Sequence, residues 1–534
     1  MTSRVGFRPF LHSALPAILV LFILTGCSSA PTALTSMPIR LPPTDTPAPP
    51  LITETFSPTF NIFTEVYTPL PTSTPIGLSI ATFTGTPRAS LSQAGPWLAL
   101  SSDEGLWVMD PDLTAISTVA DIHGSSNVGL QVSISPAGGR IAYVIIPPYP
   151  LSALTPPPEI TLVSLPSNSI SPLTRLFSGK MMEAPTPGPD SSADVYAAVF
   201  ENHGLVWSPD GSHLAFIGAH DGPSADLYAY STRSGTITRL TSGPTQAIDP
   251  MWSPDGQYIV SSGATDMEYG KAGTHGPIID SIWAVRPDGS GLREVHSYPG
   301  GQSGPPILTR WINGRSYVES YDDAGCGMNK LTYVDILSPV EYSLIPGAFN
   351  SADLDPGSGT LLSLINPPAN LENCGPFPDP GWYLLSVFGD KPRQKVPFQI
   401  PTRADESGQI LGWSPAAQLF FISSNNNLYT VTLKGEVTVL NISGIDSLPE
   451  VSPDGVEWAI FNPAGGGLWI ASPYYPTITV YQGAVETALW APDSSTLYFV
   501  AGNVLYRADP PNYQPGIIAG PFDGSDYRLS WVMP

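Results

Sequence analysis

One short motif recurs. Trp-Ser-Pro-Asp-Gly stands at 207–211 and again at 252–256, each time between an apolar lead-in and a run of alternating residues. The interval of about 45 residues is the length of one four-stranded propeller blade. Proline presets φ at the first corner, aspartate tolerates the second and glycine takes the strained exit, so Ser-Pro-Asp-Gly makes a tight turn. Trp207 and Trp252 end the strand before the turn, where a large aromatic fills the gap between neighbouring sheets. After the first turn Leu214 and Phe216 alternate with His213 and Ala215, the pattern of a half-buried strand. Two more strand signals, at 226–230 and 236–241, complete a four-stranded unit.

Further opening strands are read at 132–136, 308–314, 352–356, 411–415, 449–455 and 488–493, with Trp311, Trp413 and Trp490 in register with Trp207 and Trp252. The copy at 97–120 lacks an opening strand, and the segment 527–531 with Trp531 supplies one. A blade made from both ends of the region closes a ring and leaves no open edge. The expected fold is therefore all-β, a single large β-propeller of eight or nine four-stranded blades over 94–534, with no long amphipathic helix. Copies near Val132 and Ala352 are the weakest, and no linker-like stretch divides the region into two smaller propellers. These repeats resemble the WD-like repeats of TolB-type proteins, which also build the propellers of prolyl-oligopeptidase-like peptidases. That resemblance implies the fold, and a fold by itself implies no activity.

Ahead of the repeats, Arg4 and Arg8 precede an apolar run at 14–24, which ends in Leu-Thr-Gly-Cys at 24–27. A basic start, a short apolar run and small residues read as a cleaved leader over 1–26, too short for a spanning helix. The ending resembles a bacterial lipobox, which implies diacylation of Cys27 and an anchor on the outer side of the plasma membrane or in the outer membrane. Residues 27–93 are rich in Thr-Pro pairs and read as an extended, disordered stalk.

Of the three cysteines, Cys27 is assigned to lipid. Cys326 and Cys374 fall between the second and third strands of consecutive repeats, so adjacent blades bring their loops together in an oxidising compartment. A Cys326–Cys374 disulfide is expected. Net charge is −23, and loss of Arg4 and Arg8 with the leader takes it to −25. So acidic a surface repels phosphate backbones and argues against nucleic acid.

The long segments have a direction. Those at 147–158, 219–225, 264–280, 322–329 and 366–381 all join second to third strands, and 178–203 joins two repeats, so all open at one end of the ring, opposite the Ser-Pro-Asp-Gly turns. Long insertions confined to one sector suggest a binding face. Its candidate residues are His220, Asp221, Asp266, Tyr269, His275, Asp280, Tyr321, Asp323 and Asn373. No loop has calcium-site spacing, so neither metal nor cofactor is expected. Gly-x-Ser-x-Gly, His-Glu-x-x-His, phosphate-loop and Cys-x-x-Cys patterns are absent. The innermost strands offer mostly small or apolar residues, such as Val132, Leu205 and Leu489. The expectation is a non-enzymatic, membrane-anchored propeller that binds an envelope protein or glycan. The alternatives are a stand-alone propeller enzyme acting on carbohydrate, lyase or hydrolase, and a structural envelope component.

Overall fold

The computed structural model describes Leu91 and residues 95–534 except 111, 113, 123–128, 148–157, 178–190, 201–203, 221–223, 268–276, 304–307, 324–328, 339, 345–348, 366–378, 380, 398–407, 425–426, 443 and 463–464, all within the compact unit Gly77–Pro534. The expected leader, Cys27, nearly all of the stalk and the Cys326–Cys374 bridge lie outside the described residues. Leu91, assigned to the stalk, is buried in the core cluster that also holds Trp97, Ala99 and Leu106. Among the described residues no helix is long and apolar enough to cross a membrane.

The described residues form nine four-stranded antiparallel sheets, the blades of one propeller. Blade 1 combines 97–121 with 528–532. Blades 2 to 9 follow at 129–175, 205–239, 246–303, 308–344, 349–395, 409–440, 450–481 and 487–519. The two weakest copies are complete blades, opened by Gly129–Ile134 and Phe349–Asp355. In blades 2 to 9 the strands are paired in chain order, and the first strand of each lies innermost, against its neighbours around the ring. Closure is as expected. Arg528–Val532 pairs antiparallel with Trp97–Ser101, from Trp97 opposite Val532 to Ser101 opposite Arg528.

Each Ser-Pro-Asp-Gly turn is tied by the same bonds. Ser208 Oγ donates to Asp210 Oδ1 at 2.6 Å and accepts from the His213 N–H at 2.9 Å. Asp210 also accepts from the Ser212 N–H at 3.0 Å. Ser253 with Asp255 and Ser452 with Asp454 repeat this set, and Gly211, Gly256 and Gly455 take φ of +67°, +70° and +77°. Only glycine enters that region without cost.

Tryptophan joins one blade to the next. The indole N–H groups of Trp207, Trp252, Trp490 and Trp531 donate to the carbonyls of Ser133, Val206, Glu450 and Trp490, each on the preceding blade's inner strand, at 2.7–3.1 Å. Two of the expected positions differ. Trp311 is half-buried opposite Ser316, and Thr309 Oγ1 makes the inter-blade bond instead, to the Trp252 carbonyl at 2.9 Å. Trp413 is buried, but its backbone N–H, 2.6 Å from Asp353 Oδ2, carries the link to blade 6. The apolar core is correspondingly divided into clusters between neighbouring blades, such as Leu362, Trp382, Trp413 and Phe420 between blades 6 and 7. Face-to-face packing of sheets is the source of stability here.

Two features add to the sequence reading. The segment between blades 2 and 3 contains a helix, Ser191–Phe200, whose residues from Val195 to Phe200 are all buried against blades 2 to 4. Its Ala-Val-Phe sequence reads as strand or loop until it has those blades to pack on. The inner strands, mostly small or apolar as expected, also carry a few charged side chains. Arg310 bonds to the buried Glu319 at 3.1 Å and to Asp353 of the next blade at 3.2 Å. Glu450 lies on the inner strand of blade 8, where burial pushes its carboxyl up to about 6.

Candidate functional site

Blade 4 turns a face of small and polar residues towards blade 3. Across its strands Ser261 pairs with Trp283 and Trp283 with Glu294, while Gly263 pairs with Ser281 and Ser281 with Ser297. Cross-strand partners share a face, so these six stand together. Between blades 6 and 7 the corresponding space is closed by Trp382 and Phe420. Here serines and a glycine leave a cleft of about 580 Å³. Its other wall is Asp226 and the inter-blade segment Thr241, Ser242, Gly243, Pro244 and Thr245. Tyr298 and the exposed Leu292 form the outer rim. Asp226 and Asp280 lie at or near the start of third strands, so the cleft opens at the end of the ring where the long second-to-third segments emerge.

A relay of hydrogen bonds orients the blade 4 wall. The Trp283 indole N–H donates to Ser281 Oγ at 2.9 Å, and Ser281 Oγ donates to Asp280 Oδ1 at 2.7 Å. Gly263 makes room for it, since a Cβ there would lie 2.7 Å from Ser281 Oγ and 3.2 Å from Asp280 Oδ1. Asp226, 1% exposed, is 2.6 Å from the Arg239 guanidinium and also accepts from Thr241 Oγ1 at 3.3 Å. Burial raises its carboxyl above the ordinary range, against the pull of Arg239 and Thr241. Ser262, 1% exposed, shares the opposite face of the sheet with Ile248 and Ile282, and its hydroxyl has no hydrogen-bond partner among the described residues. Among the described residues no His, Cys, Asp and Glu group is placed to hold a metal ion.

The sequence-level candidates separate. Asp280 lines the cleft. His220 is packed on the Tyr228 ring, 4.6 Å between centroids, and Asp266 is half-buried at the end of its strand; neither lines the cleft. Tyr321 and Asp323 lie on the strand Arg315–Asp323, paired with Leu331 and Asn329. Asp221, Tyr269, His275 and Asn373 lie outside the described residues. Missed by the sequence reading were Asp226, Trp283, Glu294, Tyr298 and the serines around them. The available signal was Ser261-Ser-Gly263, a small polar run inside a strand, which marks a site of close approach.

No family model matches the chain. A stretch of 93 residues is 39% identical to the uncharacterized peptidase YuxL of Bacillus subtilis, covering 16% of this chain and only 14% of that relative. Among solved structures, the eukaryotic initiation factor is similar at TM-score 0.50, with 11% identity over 82% of this chain and 98% of the other. TolB from Acinetobacter baumannii is similar at TM-score 0.26, with 15% identity over 55% and 62%. The first of these structures bears on the fold alone. The expectation that the chain is not an enzyme is overturned, because part of its sequence recurs in a protein named as a peptidase. The physical reason lies in the architecture. A propeller gathers its polar groups from separate strands, as Asp226, Asp280 and Glu294 are gathered here, so no contiguous motif marks such a site.

Proposed function

We propose that this chain is a lipid-anchored, extracytoplasmic β-propeller that takes up a saccharide in the cleft between blades 3 and 4. The cleft carries the proposal. Its volume falls in the range of small-molecule sites. Trp283 and Tyr298 offer flat apolar rings for the C–H face of a sugar. Thr241, Ser261, Ser281 and Ser297 offer hydroxyls, and Asp280 and Glu294 offer acceptors that make charge-assisted bonds to sugar hydroxyls. The anchor is supported by the Leu-Thr-Gly-Cys ending at Cys27, and a Cys326–Cys374 bridge by the positions of those residues in consecutive repeats.

A second reading is hydrolysis of the bound saccharide. It is favoured by Asp280 and Glu294 lining the same cleft from adjacent strands, because a pair of carboxyls serves as acid and base in glycoside cleavage. Full-length protein in detergent, screened on a panel of immobilised oligosaccharides, tests both. We expect at least one glycan to be retained, and Trp283→Ala to weaken its binding by about tenfold or more. Retention unaffected by that substitution, or no retention on the panel, overturns the saccharide reading. Release of new reducing ends by the wild type, lost in both Asp280→Asn and Glu294→Gln, selects hydrolysis over capture alone.

A further inference from the structure

We propose that the cleft is selective for a saccharide bearing a protonated amine, an amino sugar without its acetyl group. This rests on the saccharide reading above and narrows it. Three carboxylates line the cleft, and no lysine, arginine or histidine does. Asp226 is neutralised from behind by Arg239. Asp280 and Glu294 have no cation among the lining residues, so the cleft carries about two formal negative charges next to two aromatic rings.

Each part of that arrangement suits a cation. The relay from Trp283 through Ser281 holds the Asp280 carboxylate beside the indole. An ammonium group seated there meets a carboxylate and the negative face of a ring together, and both attractions strengthen as water is excluded. Glu294, directly across the strands from Trp283, stands on the same face of the sheet and is exposed. An acidic sugar would bring a third negative charge with nothing in the lining to balance it.

The opposite end of the same inter-blade space shows that this polarity is local. A second cleft there, about 470 Å³, is lined by His213 and Arg286 as well as Asp288, and the Asp288 carboxylate is already engaged by Ser290. The two ends of one interface thus differ in charge, since Arg286 and Asp288 balance at this end while Asp280 and Glu294 stand unbalanced at the other, which opens on the side of the long insertions.

The test is calorimetric titration of the full-length protein in detergent with a glucosamine hexamer, an N-acetylglucosamine hexamer and an oligogalacturonate, below the pKa of the free amine. We expect the glucosamine hexamer to bind about tenfold or more tightly than its acetylated counterpart, the preference to shrink with added salt, and the oligogalacturonate not to bind. Asp280→Asn and Glu294→Gln should each cut the preference several-fold while circular dichroism shows an unchanged fold. Equal binding of the two hexamers overturns the amine and leaves the saccharide reading standing. Binding of neither overturns both. A preference that survives the double variant overturns the assignment to this cleft, because the net charge of the chain is then its source.

Discussion

Charge at single residues is handled in two ways in this ring. Where a carboxylate sits in a turn, as Asp454 does, the Ser452 hydroxyl and the Val456 N–H hold it below the usual range. Where it sits on an inner strand, as Glu450 does, burial lifts it to about 6. The second case has a measurable sign. Between the unfolded carboxyl value, about 4.3, and 6 the folded chain keeps a proton that the unfolded chain has lost, so stability falls as pH rises through that window. Glu450→Gln removes the penalty. We expect chemical denaturation to show the variant more stable than wild type by about 1–2 kcal/mol at neutral pH, with the difference gone below pH of about 4. A variant less stable at neutral pH would mean that the carboxylate has a stabilising partner there.

Among the elements, the strand Arg528–Val532 holds the most leverage. It pairs along its whole length with Trp97–Ser101, buries Leu529 and Val532, and donates through Trp531 to blade 9. Its removal leaves blade 1 without an inner strand and exposes an edge next to the axis. Deletion of 527–534 from the full chain should lower the unfolding free energy on the order of 5 kcal/mol or more, since several large apolar side chains lose their burial together. Guanidinium unfolding that superimposes on wild type would show that the other blades hold the ring without it. The helix Ser191–Phe200 is an element of another kind. Its buried side chains join the cluster of blades 2 to 4, the same sector whose far edge forms the cleft.

At the scale of the whole molecule, charge is spread thinly and unevenly. Only 13% of the residues are charged, yet the net value is −23. Polyanions should be repelled wherever they approach. We expect the full-length protein to pass unretained through a heparin column at physiological salt. Retention would place an unrecognised basic surface on the molecule.

Turn chemistry and strand alternation are properties of adjacent residues, and from them alone the repeat, its period and the closing strand with Trp531 were legible. Nine blades rather than eight required the partners of Gly129–Ile134 and Phe349–Asp355, which have no Trp-Ser-Pro-Asp-Gly to mark them. The acidic charge, too, was a sum over the sequence. The cleft was not legible, for a different reason. Asp226 and Glu294 stand 68 positions apart on different blades, and a gap between sheets is made by what both faces lack. Serine at 261 and glycine at 263 mark a place of close approach, but what approaches is fixed only when the opposing wall is in place. Local sequence therefore determined the blade and the ring. Only the packing of one blade against the next decided where the ring is open and what sign of charge lines the opening.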